Sequence, residues 1–362
     1  MLAQLRRAAM TPLWLAQLPT GTKSFERNPI IGSRRLNEWG LHAARVAFAH
    51  RLAEARRRRL AALISAADRA AFDRDGFVVR EEFLRPQQFA ALLAEVRAYR
   101  GPLREIFEGD TIMRKIALDG RTLARLPALG AALRSAEWRG LIRYAGGRDA
   151  EPVVWVQAIL RHAREGPADP QTRLHADTFH PTVKAWLFLS DVAEDAGPFT
   201  YVAGSHRLTE ARLAWERRMS LTARQSPVVE DREGSFRIDP GELAALGLPQ
   251  PVAFAVRANT LIVADTFGFH ARGPSVGRSL RVEIWAYGRR SPFPSWAPLL
   301  PWTTAALGRR SVLAWRLGDA LQATGIKKSR WRAKSGTSIF DAPAIGCAAE
   351  EPSGAPARHR VG

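Results

Sequence analysis

The sequence predicts a mainly β domain with flanking helices. Beyond Val153, short apolar runs recur at Val153 to Leu160, Thr182 to Leu189, Phe199 to Val202, Asn259 to Ala264 and Leu280 to Tyr287. Gly, Pro and Asp separate them, the spacing of a sandwich or barrel. Upstream, Asp73 to Gly76 reads as a turn, Phe77 to Val79 as a short strand, and Pro86 to Tyr99 as a helix with Phe89, Leu92, Leu93 and Val96 facing inward. At 362 residues and 46% apolar composition, the chain can bury a core without staples, as one large domain or two of average size.

The single cysteine, Cys347, excludes an internal disulfide and a Cys-rich zinc site, and it points to a reducing compartment. No run of about 18 apolar residues occurs. Pro12 and Gln17 interrupt an N-terminal stretch already too short for a secretory signal, so the expected location is cytoplasmic.

The net charge of +19 is concentrated at the ends. Residues 1–66 carry 12 basic and 3 acidic groups, and residues 301–362 carry 10 and 4. The first 35 residues read as an irregular arm. A helix follows, with Leu41, Ala44, Phe48, Leu52 and Ala55 on its inward face and Arg45, Arg51 and Arg56 to Arg59 crowding the rest. Such basic ends suit peripheral contact with an anionic membrane surface; no nucleic-acid reading motif is present. The expected organisation is an N-terminal arm and basic helix over 1–69, the main β domain over 70–300, a basic helical extension over 301–341 and a disordered tail over 342–362. An insertion or lid containing Trp215 and several Arg occupies 207–251.

His175-Ala-Asp177 sets an imidazole and a carboxylate two residues apart, which on an extended segment places both on one face. His270 follows the run Asn259 to Val263. Two histidines and one carboxylate are the facial triad of non-haem Fe(II) oxygenases, with positions left for a cosubstrate and O2. If that cosubstrate is 2-oxoglutarate, its distal carboxylate needs a cation. Arg272, Arg278 and Arg281 all qualify by spacing.

The blocks His175-Ala-Asp177, Lys184 to Leu189, Asp195 to His206 and Thr266 to Gly273, together with the entry strand and helix over Phe72 to Tyr99, resemble the phytanoyl-CoA dioxygenase family across about residues 70–290. The resemblance implies a double-stranded β-helix (jelly roll, cupin-like) that binds Fe(II) through His175, Asp177 and His270. It selects Arg281 as the cosubstrate anchor and matches Trp186 and Gln157 to cosubstrate contacts. It departs at Arg272, where several relatives carry a small hydroxyl residue. His206 reads as a structural histidine of a turn. His180 either lines the pocket or sits in a surface turn before Pro181.

The implied activity is that of a 2-oxoglutarate-dependent dioxygenase releasing succinate and CO2 while hydroxylating a small-molecule or lipid-like substrate, in which an anionic group would suit the basic residues. Asp177 favours hydroxylation, because related halogenases lack the carboxylate. A non-hydroxylating metal-binding relative and a membrane-associated interaction protein are the alternatives.

Overall fold

The computed structural model describes residues 2–167, 169–288, 291–293, 303–325 and 329–342. The tail expected over 342–362 lies outside them except for its first residue. The strands are β1 (Phe77–Arg80), β2 (Leu103–Glu108), β3 (Thr111–Ala117), β4 (Val153–Arg161), β5 (Val183–Phe188), β6 (Phe199–Tyr201), β7 (Val252–Phe254), β8 (Leu261–Asp265), β9 (His270–Arg272), β10 (Ser279–Tyr287) and β11 (Arg332–Lys334). They build an antiparallel sheet in the order β1-β8-β5-β10-β4-β3-β2-β11 and a smaller one in the order β7-β6-β9. The two sheets face each other as a jelly roll that does not close into a barrel.

Alternation along the strands separates structure from chemistry. On β10, Val282, Ile284 and Ala286 join Val154, Val156, Ala158, Ala185, Leu187 and Val263 under a helical layer formed by Pro86–Ala98, Pro127–Arg134 and Ala136–Ala145. The other face carries Arg281, Glu283 and Trp285. There Trp186, Phe188 and Ile262 meet Phe199 and Tyr201 of the small sheet, with the Trp186 and Phe199 rings 4.2 Å apart.

Asp265 closes β8 and ties these parts together. Its fully buried Oδ1 accepts from the amides of Thr182 and Phe267, both at 3.0 Å. Oδ2 pairs with Arg57 at 2.7 Å. Its main-chain oxygen accepts from the Tyr201 hydroxyl at 2.8 Å and the Gly268 amide at 3.1 Å, and its amide donates to Gly76. Gly268 is required here, since a Cβ on it would lie 1.9 Å from the Tyr201 hydroxyl. Gly76, at φ +87°, ends the preceding helix and would likewise drive a Cβ into His206.

Several expectations need correction. The arm is helical over Leu2–Ala16, because Ala, Leu, Arg and Gln dominate there and closely spaced turn formers begin only at Pro19. The helix Leu41–Leu60 turns a different face inward: Ala44 and Phe48 are exposed, while His42, Arg45, Val46, Ala49, His50 and Ala53 are buried. Specific partners outweigh the apolar pattern. Arg45 donates to the carbonyls of Leu18, Thr20 and Thr22, and His42 bonds Glu216 at 2.9 Å. Arg56 and Arg57 of the basic run reach inward to Pro292 O and Asp265, so half of that run builds the fold rather than a membrane-facing surface.

β2 and β3 escaped notice because the charges of Glu105, Arg114 and Lys115 interrupt their apolar pattern. Arg114 and Glu105 in fact pair across the two strands at 2.8 Å. The C-terminal helix runs Thr304–Ala323 and stops before Gly325, at φ +73°. Lys334, expected in that helix, belongs to β11, which extends the large sheet against β2.

Arg57→Met should cost roughly 3 kcal/mol, the order for leaving a buried carboxylate without its cation. The exposed neighbour Arg58→Gln should shift stability by no more than about 0.5 kcal/mol. Urea unfolding of both variants checks this, and equal small shifts would mean that the amides alone satisfy Asp265.

Candidate metal centre and its cavities

His175 and Asp177 sit in an extended segment that meets β9 through one bridge. The amide of His175 donates to His270 O and the amide of His270 to His175 O, each at 3.0 Å. Main-chain pairing therefore sets the two imidazoles side by side, with centroids 4.4 Å apart. Asp177 is held by its amide on Thr266 O at 2.9 Å, on the residue that follows Asp265.

Each ring is fixed from behind. His175 Nδ1 lies 2.8 Å from Arg173 O, and His270 Nδ1 lies 2.9 Å from Gly268 O. A carbonyl only accepts, so both Nδ1 atoms carry the proton and both Nε2 atoms present a lone pair. Burial keeps the rings neutral: it pushes His270 down to about 4 against the opposing pull of Asp177, and it holds His175 well below its ordinary value, with His270 adding to the effect.

Asp177 Oδ1 lies 3.9 Å from His175 Nε2 and 3.8 Å from His270 Nε2, and the three donor atoms all fall within 4.8 Å of one another. Donors on a first-row metal ion at bonds of about 2.1 Å lie roughly 3 Å apart, so side-chain adjustments of about 1 Å close the set. The donor chemistry and the oriented rings fit such an ion. Lys184 completes the arrangement: its Nζ is 2.7 Å from Asp177 Oδ2 and 3.4 Å from His270 Nε2. By holding Oδ2 it turns Oδ1 toward the imidazoles.

A cavity of about 360 Å³ opens beside these donors, with Gln157, Trp186, Phe199 and Arg281 in its wall. Arg281, paired in register with Ile159, donates from Nη1 to Gly197 O at 2.7 Å. Its Nε is 3.0 Å from Glu283 Oε2 but misaligned, so both atoms lack a hydrogen bond. Gln157 Nε2 donates to the other oxygen of Glu283 at 2.8 Å. Of the three arginines left open by spacing, Arg281 and Arg272 line the cavity, the latter paired with Asp169, while Arg278 is exposed elsewhere. His206 is buried against Phe72, away from the cavity, and burial lowers it to about 3. His180 is also buried and lines a second cavity rather than a surface turn.

Sequence reasoning passed over Lys184 and Lys23. Lys184 carried a signal, since it lies two residues before Trp186 on the same strand face. Lys23 carried none: it is a loop residue whose Nζ donates to Asp177 O at 2.5 Å from far away in the chain.

The phytanoyl-CoA dioxygenase family model matches residues 72–243. Over these residues the chain is similar to that family. The match includes His175 and Asp177 and stops short of His270 and Arg281. No curated protein gives a significant match. Similar solved structures include the epimerase SnoN in complex with Fe3+, alpha ketoglutarate and nogalamycin RO, at 22% identity and TM-score 0.40 over 63% of this chain and 83% of that one. HygX from Streptomyces hygroscopicus, with nickel and 2-oxoglutarate bound, matches at 17% and 0.40 over 62% and 87%. EctD from S. alaskensis, with bound Fe, matches at 19% and 0.36 over 62% and 76%. Segments outside the matched residues complete the cavities, Lys23 before them and β9 and β10 after them.

The buried histidines set a pH dependence. His180 and His270 both lie at about 4, against 6.5 for an unfolded imidazole. As pH falls below 6.5 the unfolded chain takes up protons that the folded chain refuses, so stability that is complete above 6.5 is lost progressively toward pH 4. Urea unfolding across this window should show the loss, and His180→Asn should flatten it. A flat wild-type profile would contradict the burial of these rings.

Proposed function

We propose that the chain is an Fe(II)- and 2-oxoglutarate-dependent oxygenase that hydroxylates a small molecule. The observation that carries the reading is one cavity bordered both by two oriented imidazoles with a carboxylate and by a buried arginine on β10 of the large sheet. The family domain over residues 72–243 supports it.

When bound, iron and 2-oxoglutarate supply the oxidising chemistry, in which O2 is consumed and succinate and CO2 are released. The chain's own residues hold and orient. His175, Asp177 and His270 are the proposed metal ligands, and Lys184 keeps Asp177 turned so that one carboxylate oxygen faces the site. Arg281 is the proposed anchor for the distal carboxylate of the cosubstrate, and Glu283 fixes its guanidinium while taking the Gln157 amide. Trp186, packed on Phe199, forms a wall that keeps water from one side. The carboxylate of Asp177 supports hydroxylation over halogenation.

Stoichiometric Fe(II) binding should be lost in His175→Ala and in His270→Ala. Arg281→Ala should weaken 2-oxoglutarate by roughly 2–3 kcal/mol, the order for a charge-assisted bidentate contact, whereas the exposed Arg278→Ala should leave it unchanged. Calorimetric titration of metal and then cosubstrate reads both. Full iron binding by either histidine variant would overturn the metal site, and a larger loss in Arg278→Ala would overturn the anchor.

A further inference from the structure

The cavity that holds the proposed metal ligands and Arg281 is also lined by Glu230, Glu233, Ser235 and Arg237 of the insertion, which the oxygenase reading leaves without a task. We infer that Arg237 and Glu230 bind the substrate to be oxidised, and that this substrate is an α-amino acid held by its carboxylate and its ammonium. The inference rests on the oxygenase reading, since it assigns the substrate of that same site.

Register places Arg237 against the ligands. Residues 235–238 run antiparallel to 174–177: the amide of Ala176 donates to Phe236 O at 3.0 Å and that of Ile238 to Leu174 O at 3.1 Å. Arg237 therefore stands directly opposite His175 in a non-hydrogen-bonded pair, the arrangement in which facing side chains are closest. His175 in turn faces His270, so two imidazoles and a guanidinium leave one row on the same face. Arg237 is only 5% exposed. Its Nη1 donates to Ser235 O at 2.9 Å and to Ser235 Oγ at 3.0 Å, and that hydroxyl donates in turn to Ala176 O at 2.8 Å, which fixes the guanidinium. Nε and Nη2 make no hydrogen bond among the described residues and open onto the cavity.

Glu230 is the matching half. Its Oε1 lies 3.9 Å from Arg237 Nη2, too far for a hydrogen bond, and its carboxylate accepts none among the described residues. The neighbouring carboxylates are engaged elsewhere: Asp231 takes the Arg237 amide and the Ser226 hydroxyl, and Glu233 pairs with Arg27 at 3.0 Å. The charges of Arg237 and Glu230 offset each other, so a bare anion would meet Glu230 and a bare amine would meet Arg237. What the pair lacks is hydrogen-bond partners. A carboxylate and an ammonium on one carbon bring acceptors to the guanidinium and donors to the carboxylate while adding no net charge. Both residues come from the insertion, whereas Arg281 and Gln157 come from the large sheet, so substrate and cosubstrate draw on separate elements.

The test uses the full chain loaded with zinc, with 2-oxoglutarate saturating so that Arg281 is occupied. The standard L-amino acids are titrated by calorimetry, followed by the methyl ester and the N-acetyl derivative of the tightest binder. At least one amino acid should bind, and removing either charge should weaken it about tenfold or more, the order for one charge-assisted hydrogen bond. Arg237→Gln should erase the penalty for the ester and Glu230→Gln the penalty for the acetyl group, with zinc and 2-oxoglutarate affinities unchanged in both. The inference is overturned by a chain that binds none of the amino acids, by derivatives that bind as well as the parent, or by penalties that survive the substitutions. Loss of 2-oxoglutarate in Arg237→Gln would overturn it too, by placing the guanidinium on the cosubstrate, and loss of zinc would do so by reducing Arg237 to a support for His175. A wild-type chain that binds no zinc or no 2-oxoglutarate would sink the oxygenase reading alone, since the amino-acid titrations can then be read on the metal-free chain.

Discussion

At the end of β8 the carboxylate of Asp265 accepts from two amides and one guanidinium while its main-chain oxygen takes the Tyr201 hydroxyl and the Gly268 amide, and almost everything near the site is positioned from this junction. Thr182 leads into the strand that carries Lys184 and Trp186. Phe267 and Gly268 belong to the turn that delivers His270, and Gly268 is also the carbonyl that orients its ring. Tyr201 locks the small sheet to the same point. A buried charge is costly in itself, so its retention depends on every one of these partners being present. The same dependence makes the site a property of the tertiary fold, with no contiguous loop that could carry it alone.

The apolar runs and their punctuation announced β1, β4, β5, β8 and β10 of the large sheet and β6 of the small one, because burial on at least one face leaves a readable pattern. That signal fails where charge is buried. β3 is buried throughout yet holds Arg114 and Lys115, the first paired with Glu105 and the second packed over the rings of Trp155 and Trp285, at 4.0 and 4.4 Å from their centroids. The helix Leu41–Leu60 shows the same limit, since Arg45 and His42 go inward to satisfy carbonyls and Glu216 while Phe48 stays outside against Phe293. His175, Asp177 and His270 could be found because metal chemistry constrains residue types and spacing. Lys23 could not, because its contact is set by where a distant loop comes to rest.

The distribution of charge also changes meaning once the fold is known. Lys23, Arg45, Arg56 and Arg57 all belong to the basic N-terminal portion, and all four are engaged with main-chain oxygens or with Asp265. Arg27 and Arg34 pair with Glu233 and Glu38. Four of the twelve basic groups of residues 1–66 are therefore internal wiring that ties the N-terminal segment to the domain, while Arg27 and Arg34 pair at the surface. No helix among the described residues is long and apolar enough to cross a membrane.

The bridge between His175 and His270 has a further consequence, of a kind usually assigned to disulfides. With one cysteine in the chain, covalent stapling within it is impossible. An ion shared by the two imidazoles would join chain positions 175 and 270 across a long intervening stretch that includes the helical insertion, and closing so long a loop removes more freedom from the unfolded chain than from the folded one. Because the ion binds the folded arrangement and not the open one, its concentration in the surroundings would enter the stability of the fold directly. Metal supply would then govern how long the protein persists as well as whether it works.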